Sequence, residues 1–389
     1  MNFKIIYKTI LMKISVISDT HLGFGYGTEL FDDPFENLEE ALEKSKHADL
    51  ILMPGDIFDT RTPGTETLVR TISMLQKLEI KGVKIIQGIN KNIEDISHAS
   101  IVAIHGTHER RIKGLLNPVE ALEKLGFLIY LHCNGVVVEK DGEKVCIQGM
   151  SGVPEQFAEA VLKEWNPRPK EGCFNILMLH QSVSPFVYGE NIGIDNIPKG
   201  FDLYVLGHMH EKRFMRRNDS LILIPGSLVT TQITKESVQP RGLWVFDTEK
   251  REAEFIELEK QRKIYYETLE NPSSQDIENK IKSILSQNHK KKPLIRLKVT
   301  GGSKIDFKTI EDTFKTEAVL SFKREFEMED QERKTLHEHV LSVQELGSKI
   351  LRDNLKNNDL DPKVFEEVFE LFLENKIDDV EELLRKNIK

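Results

Sequence analysis

Short apolar runs recur along the first two thirds of the chain, and most are stopped by glycine, aspartate or histidine. Residues 13–18, 50–53, 83–87 and 100–104 read as strands; 13–18 is a short β-rich run, and 50–53 is a continuous apolar run, the pattern of a strand buried on both faces. Between them the apolar positions shift to helical spacing. Phe35, Leu38, Ala41 and Leu42 share one side of a helix over 34–46, and 66–78 and 118–125 also read as helices, the last entered at Pro118. Further on, short strands crowd together at 128–131, 136–138, 145–148, 174–179, 203–206, 221–224 and 243–246. Strands alternating with helices early, and packed strands later, predict an α/β domain built of stacked mixed sheets.

The character changes near residue 250. Strands at 253–258, 265–269 and 294–299, with a helix over 275–285, predict a small α+β domain ending near Phe322. The remainder is helical and charged. Asp361 can cap a helix that Pro362 enters, and Phe365, Val368, Phe369 and Phe372 share one of its faces. Ile377, Val380 and Leu384 continue on a second short helix. The expected division is an extension over 1–12, a main domain over 13–249, a small domain over 250–324 and a helical tail over 325–389. With 389 residues, two or three domains are expected. Met12 is an alternative start to Met1.

Charge sharpens this division. Residues 325–389 hold 18 acidic and 10 basic side chains, so the tail carries −8 of the net −9 and the rest is nearly neutral. A near-neutral body can still bind nucleic acid through local basic patches and bound cations. The three cysteines form no CxxC pair, which argues against a disulfide framework or a zinc ribbon and for a reducing, cytoplasmic setting. No apolar stretch has transmembrane length, so no membrane partner is expected.

The candidate chemistry sits where the apolar runs stop. Asp19-Thr20-His21, Gly55-Asp56, Gly106-Thr107-His108-Glu109, His180 and Gly207-His208-Met209-His210 each follow one. Each piece alone is weak evidence: Gly-Asp is a common turn, and a lone histidine at a strand end more often packs than binds. Their joint occurrence in order, each at a strand terminus, is what points to a site. Alternate residues leaving a strand end can face one ion, as in Asp19-x-His21 and His208-x-His210. Carboxylate plus imidazole suits manganese, iron or zinc. Two such ions roughly 3.5–4 Å apart clamp a phosphate ester and activate water for in-line attack at phosphorus. His108 then remains to protonate the leaving oxygen or stabilise the transition state, with Glu109 to orient it. His105 is read as packing.

With these motifs the chain resembles the calcineurin-like metallophosphoesterases, and within them the SbcD-type (Mre-eleven) DNA-repair nucleases, particularly archaeal ones. Asp19-Thr20-His21-Leu22-Gly23, Gly55-Asp56-Ile57-Phe58-Asp59 and Gly207-His208-Met209-His210 carry the likeness. The resemblance implies a sandwich of mixed sheets flanked by helices, with a small capping domain and a helical tail. It implies that Asp19, His21 and His210 hold one metal, that His180 and His208 hold the other, that Asp56 bridges, and that His108 is catalytic. It further implies two manganese ions, 3′-5′ exonuclease action on duplex ends, endonuclease action on single strands, and a role in double-strand-break repair. A homodimer through helices near 66–78 and 90–125 is implied too, as is a coiled-coil, SMC-like ATPase partner (SbcC or Rad-fifty type) bound by the 365–384 helices. Those helices could instead bury one another.

Two positions depart from the family pattern. Thr107 stands at the asparagine that ligates the second metal, so either water fills the gap or that metal binds weakly. Asp59 stands where many relatives have a DNA-positioning histidine; it either acts near the site or caps a turn. Arg61, Arg110, Arg111, Lys113, Arg213, Arg216 and Arg217 flank the motifs and could meet phosphate, and Lys290–Lys292 is a stronger cluster. Two alternatives remain: a phosphomonoesterase or cyclic-nucleotide phosphodiesterase of the same fold, which would not need the extra domain, and a binding scaffold with a degraded site.

Overall fold

The computed structural model describes residues 12–325, apart from 81, 94–95, 112–113, 188–191, 236–237 and 302–304, together with residue 383. The extension over 1–11, Lys113 and the tail helices at 365–384 lie outside the described residues. Met12, assigned by sequence to the extension, is fully buried, and its N–H donates to Glu143 Oε2 at 2.8 Å.

Two mixed sheets face each other. In space the six-stranded sheet runs Glu252–Glu257, Gly242–Asp247, Lys13–Val16, Leu50–Pro54, Ile101–Ile104, Ile129–Tyr130, and the last four are parallel. The eight-stranded sheet runs Arg213–Arg217, Ser220–Ile224, Leu203–Gly207, Phe174–His180, Glu143–Met150, Asn134–Lys140, Val83–Ile89, His98–Ala99. Its second to fifth strands are parallel. Leu50–Pro54 shows why these runs lack polar alternation. Leu50 and Leu52 pack between the sheets with Val102, Val138, Ile176 and Val205. Ile51 and Met53 face the other way, against Phe35, Leu38 and Val119. Those residues belong to the helices Asp33–Lys44 and Pro118–Lys124, which cover the outer face with Thr65–Gln76. On the far side Ala158 and Leu162 of helix Glu155–Trp165 cover Leu177, Leu179 and Leu206. The result is the pair of stacked mixed sheets that the alternation predicts, flanked by helices as the family resemblance implies.

The three-stranded sheet Ile264–Glu270, Leu294–Thr300, Val319–Glu325 has its own core, in which Ile277, Ile281 and Ile310 pack on Ile295 and Leu297. Helices Ser274–Leu285 and Phe307–Phe314 supply the first three. The strand expected at 253–258 is not part of this module. It is Glu252–Glu257, paired antiparallel with Gly242–Asp247 at the edge of the six-stranded sheet, so the change of module falls after residue 257. Lys291 and Lys292 are also not a free phosphate-binding surface. Lys291 Nζ lies 3.1 Å from Asp33 and 2.5 Å from Glu36, and Lys292 Nζ lies 2.8 Å from Glu29. With Arg262 on Asp33 at 2.5 Å, these pairs tie the module to the first helix and the turn before it.

Candidate metal centre

Parallel strands of both sheets end at one place. The turns after Lys13–Val16, Leu50–Pro54 and Ile101–Ile104 carry Asp19, Asp56 and Thr107; Phe174–His180 and Leu203–Gly207 deliver His180 and His208. Sites gather at the carboxyl ends of strands in such sheets. The turns are held in register by Asp19 N–H on the Gly55 carbonyl at 3.2 Å and His21 N–H on the Asp56 carbonyl at 3.0 Å. Asp19, His21, Asp56 and His208 all sit at positive φ, 49°, 44°, 47° and 74°. Non-glycine residues there cost about 1–3 kcal/mol each, a load that clusters at functional sites. Two motif glycines are required by contact. A Cβ on Gly106 would lie 2.1 Å from Asp56 Oδ1, and one on Gly207 would lie 2.1 Å from the Pro54 carbonyl oxygen.

Three overlapping groups of side chains place one ligand atom each within 4.8 Å of the others: Asp19–His21–His210, Asp56–His180–His208 and His21–Asp56–His108. His210 Nε2 lies 3.7 Å from Asp19 Oδ1, and His180 Nε2 lies 3.2 Å from Asp56 Oδ2. Ligands roughly 2.1 Å from one ion stand about 3–4 Å apart, so both separations suit a shared cation. Asp19 Oδ1 and His21 Nε2 are buried with no hydrogen-bond partner. Buried polar atoms are rarely left so, and a cation would satisfy both. The imidazoles are turned for this role. Nδ1 of His180 is 2.7 Å from the Pro54 carbonyl, Nδ1 of His21 is 3.2 Å from Asp59 Oδ1, and Nδ1 of His108 is 2.8 Å from the Asp59 carbonyl. Each contact takes up Nδ1 and leaves Nε2 for the cluster.

The electrostatics follow from crowding carboxylates and imidazoles in a buried cluster. Burial pushes the Asp19 carboxyl up to about 6, with Asp56 adding to the rise and His180 opposing it. Burial acts on Asp56 too, but His180, His21 and the His108 N–H outweigh it and hold that carboxyl below the usual range. His180 is lowered by burial but raised more by Asp56 and Asp19, to about 9. Burial, with neighbouring cationic groups, brings His208 down to about 4 and His210 to about 3. Both are therefore neutral at pH 7, with a lone pair available to a metal.

Other sequence expectations divide. Glu109 does not orient His108. Its buried carboxylate accepts the N–H of Gly106 at 2.6 Å and of Phe58 at 2.8 Å, clamping the two loops that flank Asp56. Burial and Asp56 push it up to about 8, against those donors. Thr107 Oγ1 reaches Asp56 Oδ2 at 3.4 Å. His105 packs as expected, with Nδ1 on the Tyr130 hydroxyl at 2.7 Å. Arg217 is paired with Asp195, and Arg213 is paired with Glu211 at 3.1 Å; the second pair lines a groove of about 480 Å³ that opens beside His208, His210, Phe186 and Arg241. Arg241 and Glu155 escape a sequence reading. Arg241 is buried and donates to the His210 carbonyl at 3.1 Å, and Glu155 Oε1 lies 3.9 Å from His208 Nε2. Neither belongs to a motif; both are brought in by long-range packing.

The model of the calcineurin-like phosphoesterase superfamily domain matches residues 12–251. The chain is similar to the DNA double-strand break repair protein Mre11 of Methanopyrus kandleri, 26% identical over 281 residues, which is 65% of this chain and 58% of that protein. It is 29% identical to the protein of the same name from Saccharolobus solfataricus over 227 residues, 56% of this chain and 54% of that one. For Sulfurisphaera tokodaii the figures are 29% over 305 residues, 74% and 73%. The chain thus spans little more than half the length of the first two relatives.

Proposed function

The chain belongs to the calcineurin-like phosphoesterase superfamily, and from that premise we propose that it is a manganese-dependent DNA nuclease of double-strand-break repair. In this reading it degrades duplex ends 3′-5′ and cuts single strands internally. The observation that carries the reading is the pair of ligand groups sharing one strand-end cleft, in a chain similar to archaeal double-strand-break repair proteins.

Asp19, His21 and His210 hold one ion in this reading, His180 and His208 hold the second, Asp56 lies between them, and Thr107 stands at the second. Two divalent ions so held supply the charge that clamps a phosphodiester and activates water. The residues do the rest. Asp59 and Pro54 keep the imidazoles of His21 and His180 turned with Nε2 inward. His108, half exposed and held at Nδ1, presents Nε2 to the leaving oxygen and donates the proton. Arg241, beside the Arg213–Glu211 pair, puts a cationic side chain in the wall of the adjoining groove, which the strand backbone would follow.

The partner and assembly readings are part of the same proposal. Exposed Val69, Leu115, Leu116 and Leu125 lie on the two segments proposed to dimerise. The tail over 325–389 is proposed to bind the coiled-coil ATPase, and the module after residue 257 to cap the DNA. Among the described residues no helix is long and apolar enough to cross a membrane, and a cytoplasmic location is proposed. The test is the purified full chain with manganese on end-labelled duplex. Wild type should shorten the ends, and His108→Ala should not, while binding as much manganese. Equal activity of the two would remove His108 from the mechanism. Faster turnover of small phosphate esters than of DNA would replace the nuclease with a phosphomonoesterase or cyclic-nucleotide phosphodiesterase. Absence of both activities, with fewer than two ions bound, would leave a binding scaffold.

A further inference from the structure

We infer that Asp59 is the positioning residue of the first ion site: its carboxylate fixes His21 with Nε2 turned toward the ion, while its backbone carbonyl independently fixes His108. This rests on the metal-dependent reading proposed above.

Asp59 is well placed to do this because its own backbone is anchored. Its N–H donates to the Leu22 carbonyl at 3.1 Å, and Leu22 N–H donates to the Ile57 carbonyl at 2.8 Å. A parallel bridge between Leu22 and Phe58 completes the contact, so the Asp59 loop is registered against the His21 turn. From there Oδ1 lies 3.2 Å from His21 Nδ1. The His21 side chain is 1% exposed, so no bulk water can take over that bond. Its other nitrogen, Nε2, is buried and unpartnered beside Asp19 and His210. A carboxylate that accepts Nδ1–H places the proton there, frees the Nε2 lone pair and raises its basicity.

The same residue reaches His108 by a different atom. The Asp59 carbonyl oxygen is 2.8 Å from His108 Nδ1, and the carboxylate is farther, at 3.6 Å. The two rings meet edge-on with centroids 4.8 Å apart. Substituting the side chain therefore removes the support of His21 and leaves the main support of His108. His180 makes the contrast: its Nδ1 rests on a neutral carbonyl, that of Pro54, at 2.7 Å.

The experiment uses the full chain carrying Asp59→Ala or Asp59→Asn, without substrate at first. Manganese titration by calorimetry should show the tighter dissociation constant raised about 10–100-fold in Asp59→Ala, the cost of losing a residue that orients a ligand. The weaker site should be unchanged. Side-chain 15N shifts should show His21 losing its single Nδ1–H tautomer in Asp59→Ala and keeping it in Asp59→Asn, whose amide oxygen still accepts. Asp59→Asn should accordingly lose less affinity, and it remains informative where Asp59→Ala fails to fold. On DNA, the deficit of Asp59→Ala at low manganese should disappear at saturating manganese, because the carbonyl on His108 persists. Unchanged affinity, equal weakening of both sites, an unaltered His21 tautomer, or a deficit that manganese does not restore would each overturn the inference. Should the wild type cut no DNA, the substrate-free titrations still decide the role of Asp59.

Discussion

The two halves of the centre use the same kinds of ligand yet are backed very differently. Behind the first, Ser18 donates to Asp19, the Asp59 carboxylate holds His21, and buried Arg241 holds the loop at the His210 carbonyl. Behind the second, a neutral carbonyl holds His180, a threonine hydroxyl stands 3.4 Å from Asp56, and Glu155 is 3.9 Å from His208. A ligand set alone does not fix affinity; the groups that orient the ligands contribute as much. On the proposed reading the first ion is the tighter one.

The largest perturbation erases the comparison. Asp56 belongs to two of the three ligand groups and is the partner of buried His180. Asp56→Ala should lower manganese stoichiometry below one ion and, by stranding that imidazole, destabilise the metal-free fold by about 3–5 kcal/mol. Calorimetry and denaturant melts check both. Next, His108→Gln should cut the nuclease rate roughly 10²–10⁴-fold while both halves load as in wild type, which single-turnover assays beside a metal titration would show. Unequal loading in that variant would mean that His108 is itself a ligand. Thr107→Asn should sharpen the comparison from the other side, tightening the second ion by roughly an order of magnitude and leaving the first alone.

How much of this was readable beforehand depended on the range of the signal. The strands were legible because both faces are covered, so runs such as Leu50–Pro54 carry no alternation. The candidate residues were legible because each follows such a run. The left-handed backbone at Asp19, His21, Asp56 and His208 was not, since only glycine advertises that conformation in a sequence. Adjacency misled at Glu109: it neighbours His108 in sequence, but its carboxylate turns back to Gly106 and Phe58. Lys291 looked available because its partners, Asp33 and Glu36, lie far away along the chain. Helix Glu155–Trp165 was missed because only Ala158 and Leu162 of it are buried, too few to set a period. The edge strand Arg213–Arg217 was hidden by its arginines.

A separate effect is on pH dependence without metal. His180 is raised from 6.5 to about 9 in the fold, so its pairing with Asp56 stabilises fully below pH 6.5 and is lost as pH climbs through 9. Glu109, raised from 4.5 to about 8, loses stability in the same direction between those values. Melting temperature in chelator should therefore fall from pH 6.5 to 9, and fall less with manganese present. A rise over that interval would contradict the charge assignments.

The most direct test of the unequal halves is a manganese titration of the wild-type chain, followed by anomalous diffraction from crystals grown at the two plateaus. Two binding steps are expected, with density first between Asp19, His21 and His210, and only at higher manganese between Asp56, His180 and His208. A single step filling both positions together, or density appearing first at the second, would contradict that expectation.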